Sequence, residues 1–512
     1  TKQLSVPNLE AGAKKVYEYS TEFTDPNLLH KFIFGEVLPV KNSRLEIKVD
    51  KNVNIGFKLF NDPNHLIAFN KIEKKDYTLY QWTLTDGKPF KFEGNAPSIL
   101  YSVPHLIFYI EDYTADKNKV TLLGDIQRMY TYYSSFVENL NTKEDAALKE
   151  ISQNITANKT SEEEKVKAIF YWVKDNIKYI AFENGYEGFI PREAALVNER
   201  KFGDCKDMAS IISAMAKYAG ITNVYLAWIG TRNIPYSFSE VATPSTTDHM
   251  IAVYKKGSEY IFLDATDQET AYGLPSAFIQ DKEALLYNGS QYQIVKVPIT
   301  APVKNQIRDA VVINIQNEKI SGTGWLQISG YNRTNTLGQL GDAANKTRFE
   351  MIKSLVLKGN NKFTLNDYCE GNLKDRDKPY EVGYDFNIEN YIVKVDKELY
   401  LNLTFDKYYE KSNLEKDREA NYDFDFLNQF VSSVTCLIPK EYTVKYVPKN
   451  FEIDNELLKA QFTYQLLGNT VEMKATLETK KIMLEKKDFA LWNETVKKLK
   501  SAYGETIILQ EK

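Results

Sequence analysis

Between residues 202 and 264 the chain sets a reactive side chain at a sharp turn, and that stretch limits the folds open to it. Phe202-Gly203-Asp204-Cys205-Lys206-Asp207 leads into a strongly apolar run over residues 208–219, and Gly220 supplies a left-handed stop. Three strand-like segments follow, over residues 223–232, 248–255 and 259–267; the second opens around His249 and the third carries Asp264. Upstream, residues 146–155 read as a helix. A second helix opens on a Thr160–Glu163 capping box and turns Val166, Ile169, Val173 and Ile177 to one face. Pro191 suits the first turn of a third helix, where its missing N–H costs nothing. Helices, then a cysteine at a helix start, then antiparallel strands is an α+β order, with a nucleophile helix packed on a sheet.

A thiol attacks as a thiolate, and a helix N-terminus and a neighbouring imidazolium both favour that anion. Cys205 has the first by position. Asp204 and Asp207 read as caps of its helix and, with Gly203, as support for the nucleophile loop. Backbone N–H groups at the same turn are suited to stabilise an oxyanion. The chain has four histidines, and His249 alone lies in this middle region. Lys255-Lys256-Gly257-Ser258 reads as a tight hairpin between the strands bearing His249 and Asp264. A two-residue turn at Lys256-Gly257, or a four-residue turn over 255–258, sets His249 directly opposite Asp264, with Cβ atoms ~4.5–5.5 Å apart. A three-residue turn sets them on opposite faces. Taken singly, the three residues suit a buried thiol, a strand-end histidine and a turn aspartate. Their joint order points to a Cys–His–Asp triad.

The run Lys201-Phe202-Gly203-Asp204-Cys205-Lys206-Asp207 resembles the GDCKD nucleophile motif of bacterial transglutaminase-like proteins. Thr247-Asp248-His249-Met250 and Phe262-Leu263-Asp264-Ala265-Thr266 resemble that family's His and LD-x-T motifs, and Gly273-Leu274-Pro275 its exit from the core. The resemblance covers about residues 144–300. It implies a papain/transglutaminase-like fold, with Cys205, His249 and Asp264 as catalytic residues. It also implies an oxyanion donor upstream of the cysteine, often Gln, Trp or Tyr; no Gln stands between Gln153 and Cys205, and Tyr179 is the candidate. Leu9-Glu10-Ala11-Gly12 through Leu38-Pro39-Val40 resembles part of a β-rich domain of unknown function that precedes this core in many Bacteroidetes proteins, with its first strands expected to be missing. Residues 301–512, ending in Ile507-Ile508-Leu509-Gln510, resemble the family's β-rich C-terminal domain. Such proteins are exported, which implies a periplasmic or cell-surface location.

At 512 residues, with ~150 per domain, about three units are expected. They are a β-rich region over 1–143, a catalytic core over 144–300, and a β-rich region with two helices over 301–512. The polar stretch 141–145 marks the first boundary, and Pro298 and Pro302 the second. In the first region Leu45, Ile47 and Val49 alternate with charged residues, and a helix opened by Asp125 carries Ile126, Met129, Tyr133, Phe136 and Leu140 on one face. In the third, Val471, Met473, Ala475 and Leu477 alternate, one helix spans about 342–358, and another carries Phe489, Trp492, Val496 and Leu499. The core segment has enough apolar helix and strand to fold alone, with the flanks as walls of its cleft. The 34 Tyr and 27 Phe fit packed sheets, with a polysaccharide- or protein-binding platform as the other use.

Lys and Arg number 65 against 69 Asp and Glu, well mixed, so no clustered basic excess points to a nucleic-acid partner. Three distant cysteines give no disulfide framework. The longest apolar run, residues 99–110, contains Pro104 and His105 and is too short to span a bilayer. There is no HExxH, clustered His or Cys, or EF-hand loop, so no metal is expected, and no nucleotide-binding glycine loop, so no cofactor. No GxSxG stands in for a serine hydrolase. The sequence therefore points to cysteine-dependent acyl transfer through a thioester, on a peptide, protein or peptidoglycan-like amide. Hydrolysis by a protease or amidase is preferred; protein crosslinking by a transglutaminase is the alternative, and a non-catalytic envelope binding protein with a vestigial triad is the rival.

Overall fold

The computed structural model describes residues 10–181, 185–316 and 318–512, so Leu9 of the first flank motif lies outside the described residues. The fold class is α+β: a core of helices packed on an antiparallel sheet, with β-rich flanks.

Two antiparallel sheets make the first flank. Val40–Asp50, Tyr77–Gly87 and Ile67–Glu73 form one, with Tyr77–Gly87 in the middle; Phe32–Ile33, His105–Ala115, Val53–Phe60 and Asn118–Thr121 form the other. Their inner faces meet over Phe34, Trp82, Leu84 and Leu106, and the alternation at Leu45 and Ile47 packs against this cluster. The helix capped by Asp125 runs over Ile126–Ser134 and stops short of Phe136 and Leu140. Its buried side chains, Met129, Tyr130 and Tyr133, do not join the N-terminal sandwich. They pack into the core, where the Tyr133 ring stacks on Trp228 at 5.0 Å.

The core sheet has five antiparallel strands in the order Glu259–Leu263, His249–Lys256, Val224–Ile229, Glu283–Asn288, Gln291–Lys296. Helices Ala146–Thr156, Glu162–Asn176 and Ala194–Arg200 gather around the central helix Cys205–Tyr218, which packs on the sheet. Val166, Ile169, Val173 and Ile177 are buried, as their spacing requires. Two helix starts differ from expectation. The capping box joins Ser161 and Glu164 rather than Thr160 and Glu163, one position later in a Thr-Ser-Glu-Glu-Glu run that offers both registers. Pro191 lies ahead of its helix, which begins at Ala194, because the Arg192 N–H is drawn to the Asp207 carboxylate at 2.9 Å instead of entering a helical turn.

Eight strands form the large sheet of the second flank, all antiparallel except the pair Gln306–Gln316 with Gln429–Leu437. Val471, Met473, Ala475 and Leu477 face its core, and Trp492, Val496 and Leu499 of the helix Phe489–Tyr503 are fully buried against it. This flank was expected to hold two helices and among the described residues holds three: Gly330–Leu340, Asn345–Val356 and Phe489–Tyr503. The additional one, Gly-Tyr-Asn-Arg-Thr-Asn-Thr-Leu-Gly-Gln-Leu, is rich in weak helix formers. Tertiary contacts set it. Asn305 accepts from the Tyr331 N–H at 3.1 Å, and its carbonyl accepts from the Asn332 amide at 3.0 Å. Among the described residues no helix is long and apolar enough to cross a membrane.

Candidate active site

Cys205 is the first residue of its fourteen-residue helix, so its thiol sits at the positive end of the helix dipole. The loop beneath it is a closed polar network. Asp204, the N-cap, accepts from the Lys206 N–H at 3.1 Å and from the Lys206 ammonium at 2.8 Å; Asp207 accepts from the Asp204 N–H at 3.0 Å. Arg192 reaches Asp207 with its backbone N–H at 2.9 Å and its guanidinium at 2.5 Å. Both carboxylates are fully buried. Burial holds the Asp204 carboxyl above its usual range, against the pull of Lys206 and with the repulsion of Asp207. The cap uses the N–H groups of Lys206 and Asp207 and leaves that of Cys205 to the site.

Gly203 is there for space. A Cβ on it would stand 2.5 Å from the Asp207 Cβ. Gly203→Ala should displace Asp207 and lower stability by about 1–3 kcal/mol, the usual size of an overpacking penalty. A thermal melt paired with thiol labelling of Cys205 measures both consequences; an unchanged melt and labelling rate would refute this account of the loop.

The His249–Asp264 pair forms by a different register from the one expected. The hairpin turn is Gly257-Ser258, with Gly257 at φ +61°, and Lys256 pairs with Glu259 rather than sitting in the turn. Glycine takes the left-handed first turn position without strain, as a II′-type hairpin requires. The shift moves Asp264 two residues along, past the last pair Ala252–Leu263, so it is no longer level with His249. An even shift preserves the face. The two side chains therefore still meet, diagonally, with His249 Nε2 donating to Asp264 Oδ2 at 2.9 Å.

Asp264 is also held by Thr266, whose N–H and hydroxyl donate to its second oxygen at 3.2 and 2.7 Å. Burial works against its charged form, yet the charge and hydrogen bond of His249 and the Thr266 hydroxyl keep the carboxyl well below the usual range. Burial alone would push the imidazolium down. The Asp264 charge and hydrogen bond, with further contributions from a hydrogen bond to Cys205 and its charge, outweigh burial and raise His249 to about 10. With Nε2 given to Asp264, Nδ1 is the nitrogen left for the thiol. Phe278 packs edge-on against the imidazole, ring centres 5.3 Å apart, and covers it from one side. Below the Asp264 loop, Lys174 donates to the Thr270 carbonyl at 2.8 Å, and burial pushes its ammonium down to about 8.

Residues 149–265, which carry all three side chains, match the model of the transglutaminase-like superfamily. The middle of the chain is a transglutaminase-like domain. Models of two domains of unknown function, DUF3857 and DUF3858, match residues 1–91 and 397–509 on either side of it. Among solved structures the whole chain is similar to a Parabacteroides distasonis protein described as a "putative protease", at 13% identity and a TM-score of 0.57 over 94% of this chain and 74% of that one. At that identity the likeness is one of fold. Legionella pneumophila LapG (13% identity, TM-score 0.21, covering 34% of this chain and 90% of that one) and a "putative cysteine protease" of Cytophaga hutchinsonii (14%, 0.20, 46% and 74%) carry no argument. No curated protein matches the chain.

The structure brings Cys205, His249 and Asp264 of the transglutaminase-like domain together, over the loop of Gly203, Asp204 and Asp207. Tyr179 is exposed and sits opposite Gly203 in the parallel pair of Lys178–Tyr179 with Phe202–Gly203, next to the nucleophile loop. Four contributors escaped the sequence: Arg192, Lys206, Thr266 and Phe278. Lys206 and Thr266 stand inside the motif runs, and an Asp carboxylate that accepts from the N–H two residues on is a recognisable local pattern. Nothing in the sequence marks Arg192 or Phe278. Among the described residues no group of three or more His, Cys, Asp or Glu is arranged to hold a metal ion.

Proposed function

We propose that this protein is a cysteine peptidase or amidase. The observation that carries the reading is the His249–Asp264 bond at 2.9 Å, with the imidazole held in its charged form beside Cys205 at a helix N-terminus. The Cys205 sulfur attacks an amide carbonyl, and the resulting oxyanion is met by the Cys205 N–H with Tyr179 as second donor. His249 gives its proton to the departing amine as the C–N bond breaks, leaving a thioester. Water then loses a proton to His249 as its oxygen bonds to the thioester carbonyl; the C–S bond breaks, releasing the carboxylic acid and leaving the Cys205 thiolate beside the His249 imidazolium. Asp264 keeps the imidazole oriented throughout. An amine in place of water would make the reaction a crosslinking one; water is preferred because it needs no second binding site. The three-part organisation at 1–143, 144–300 and 301–512 and a periplasmic or cell-surface location go with this reading.

The pH dependence follows from the sign of the shifts. His249 is raised from 6.5 to about 10, so its ionic contribution is complete below ~6.5 and is lost as pH rises through about 10. Asp264 is lowered, so its contribution is complete above its usual range and is lost as pH falls through its folded value. Between those limits the pair stays charged. Iodoacetamide should therefore alkylate Cys205 at about pH 6, well below the ~8.5 of a free thiol. Residue-resolved mass spectrometry checks this, with Cys436, whose thiol burial pushes up to about 12, as the inert control. In His249→Ala the alkylation midpoint should move towards ~8.5. An identical profile in that variant would remove His249 from the mechanism.

A further inference from the structure

Two clefts open beside His249. The larger, of about 820 Å³, is bounded by residues 22–31 of the N-terminal flank, by Gly185, Tyr186 and Phe189, and by residues 244–248, which run directly into His249. The smaller, of about 270 Å³, is lined by Arg232 and Phe278 of the core, Pro97 of one flank and Phe426 of the other. Ser98 and Asn233 line both, so the two clefts adjoin. The triad itself lines neither cleft. The larger cleft meets it through Asp248, the neighbour of His249 in the chain, and the smaller through Phe278, whose ring packs against the imidazole.

The larger cleft owes its shape to the N-terminal flank. Residues 22–31 have no helix or strand and are fastened to the core by Asp25, which accepts from the hydroxyls of Tyr132 at 2.8 Å and Tyr186 at 3.0 Å. The walls are largely apolar: Phe23, Leu28, Leu29, Leu100, Phe189 and Ile234. Glu22, Asp25 and Asp248 bring carboxylates to the rim of these walls, and two of the three hold neighbours. Asp25 holds the two tyrosines, and Asp248 accepts from the Thr231 N–H at 2.7 Å and hydroxyl at 2.8 Å. The half-buried Lys31 ammonium is attracted by Asp248, against the burial that pushes it down.

We infer that the larger cleft is a substrate subsite for a bulky apolar side chain, Leu, Phe or Tyr, of an extended peptide whose scissile amide lies at Cys205. The inference rests on the proposed function and names its substrate class. A volume of this size holds more than one residue. A carboxylate-rich, small-residue peptide of the peptidoglycan type would set its charges against apolar walls and beside the carboxylates of Glu22, Asp25 and Asp248, which is costly. The N-terminal flank thereby becomes part of the specificity apparatus.

Tripeptidyl chloromethyl ketones test this on the full chain. The Cys205 sulfur displaces chloride from the methylene carbon beside the ketone carbonyl, forming a thioether, and the rate is measured by mass spectrometry as a ratio to the iodoacetamide rate of the same variant. Leu- and Phe-bearing ketones should exceed Glu- and Lys-bearing ones by about 10-fold or more, the range a side-chain pocket supplies. Leu29→Glu, and the milder Leu29→Ser should the first fail to fold, should reduce that preference several-fold. No preference, a preference for the charged ketones, or a preference untouched in both Leu29 variants overturns the subsite while leaving the cysteine chemistry standing. A Cys205 inert to iodoacetamide removes the catalytic reading itself, and the subsite with it.

Discussion

His249→Ala should lower kcat for a peptide substrate by about 10²–10⁴-fold, the usual contribution of a positioned acid–base group. KM should change little, because the imidazole is covered on one side by Phe278 and lines neither of the clefts that would hold the substrate. Cys205→Ala should cost at least as much, since it removes the atom that forms the thioester. The two act as one unit, so the double variant should be scarcely worse than Cys205→Ala alone. Asp264→Asn separates orientation from charge. An amide keeps the size of the group but not the charge that holds His249 as imidazolium, so kcat should fall while the alkylation profile of Cys205 moves towards that of His249→Ala. Steady-state kinetics on the four variants check the set. Multiplying losses in the double variant would mean that Cys205 and His249 work independently, and the triad reading would fail.

The placement of the candidate site residues was legible in the sequence, and the reason is local. A nucleophile at a helix start is written in consecutive residues, Gly203-Asp204-Cys205, and strand alternation keeps His249 and Asp264 on one face under any even shift of register. The register itself was misjudged because Lys256 and Gly257 compete for the turn, and a single left-handed residue decides between them. What could not be read is what arrives from far along the chain. The helix Ile126–Ser134 reads as the end of the first flank but buries its Tyr133 on Trp228 of the core sheet. Arg192 closes the Asp204–Asp207 loop from outside the motif. The helix Gly330–Leu340 has too weak a propensity to announce itself and exists through Asn305.

That last helix leads to the largest expected loss of stability. Arg333, almost fully buried, donates to the Glu269 carbonyl and carboxylate at 3.2 Å each, and to the carbonyls of Asn372, Leu373 and Asp375 at 3.2–3.4 Å. It clamps the loop that follows Asp264 to a loop of the second flank. Arg376 adds a bond to the Gln268 carbonyl at 2.6 Å, and Tyr171 ties Asp377 to the Tyr272 N–H. Arg333→Ala leaves a buried carbonyl cluster and a partly buried carboxylate without their cation, and should destabilise by about 3 kcal/mol. Arg333→Lys keeps the charge but not the fork of donors, so it should recover only part of the loss. Since the clamped loop begins at Asp264, the melt should be accompanied by a shift of Cys205 alkylation towards the free-thiol range. The segment 144–300, which by its own apolar content was expected to fold and keep its thiol reactivity, contains neither Arg333 nor Arg376 nor Tyr133. Its isolated form should therefore lose Asp264 support as well as substrate walls, and label Cys205 no faster than an ordinary thiol at about pH 6. Full-chain labelling rates from the isolated segment would show that the flanks add substrate contacts alone and that the Arg333 clamp has no part in holding the pair.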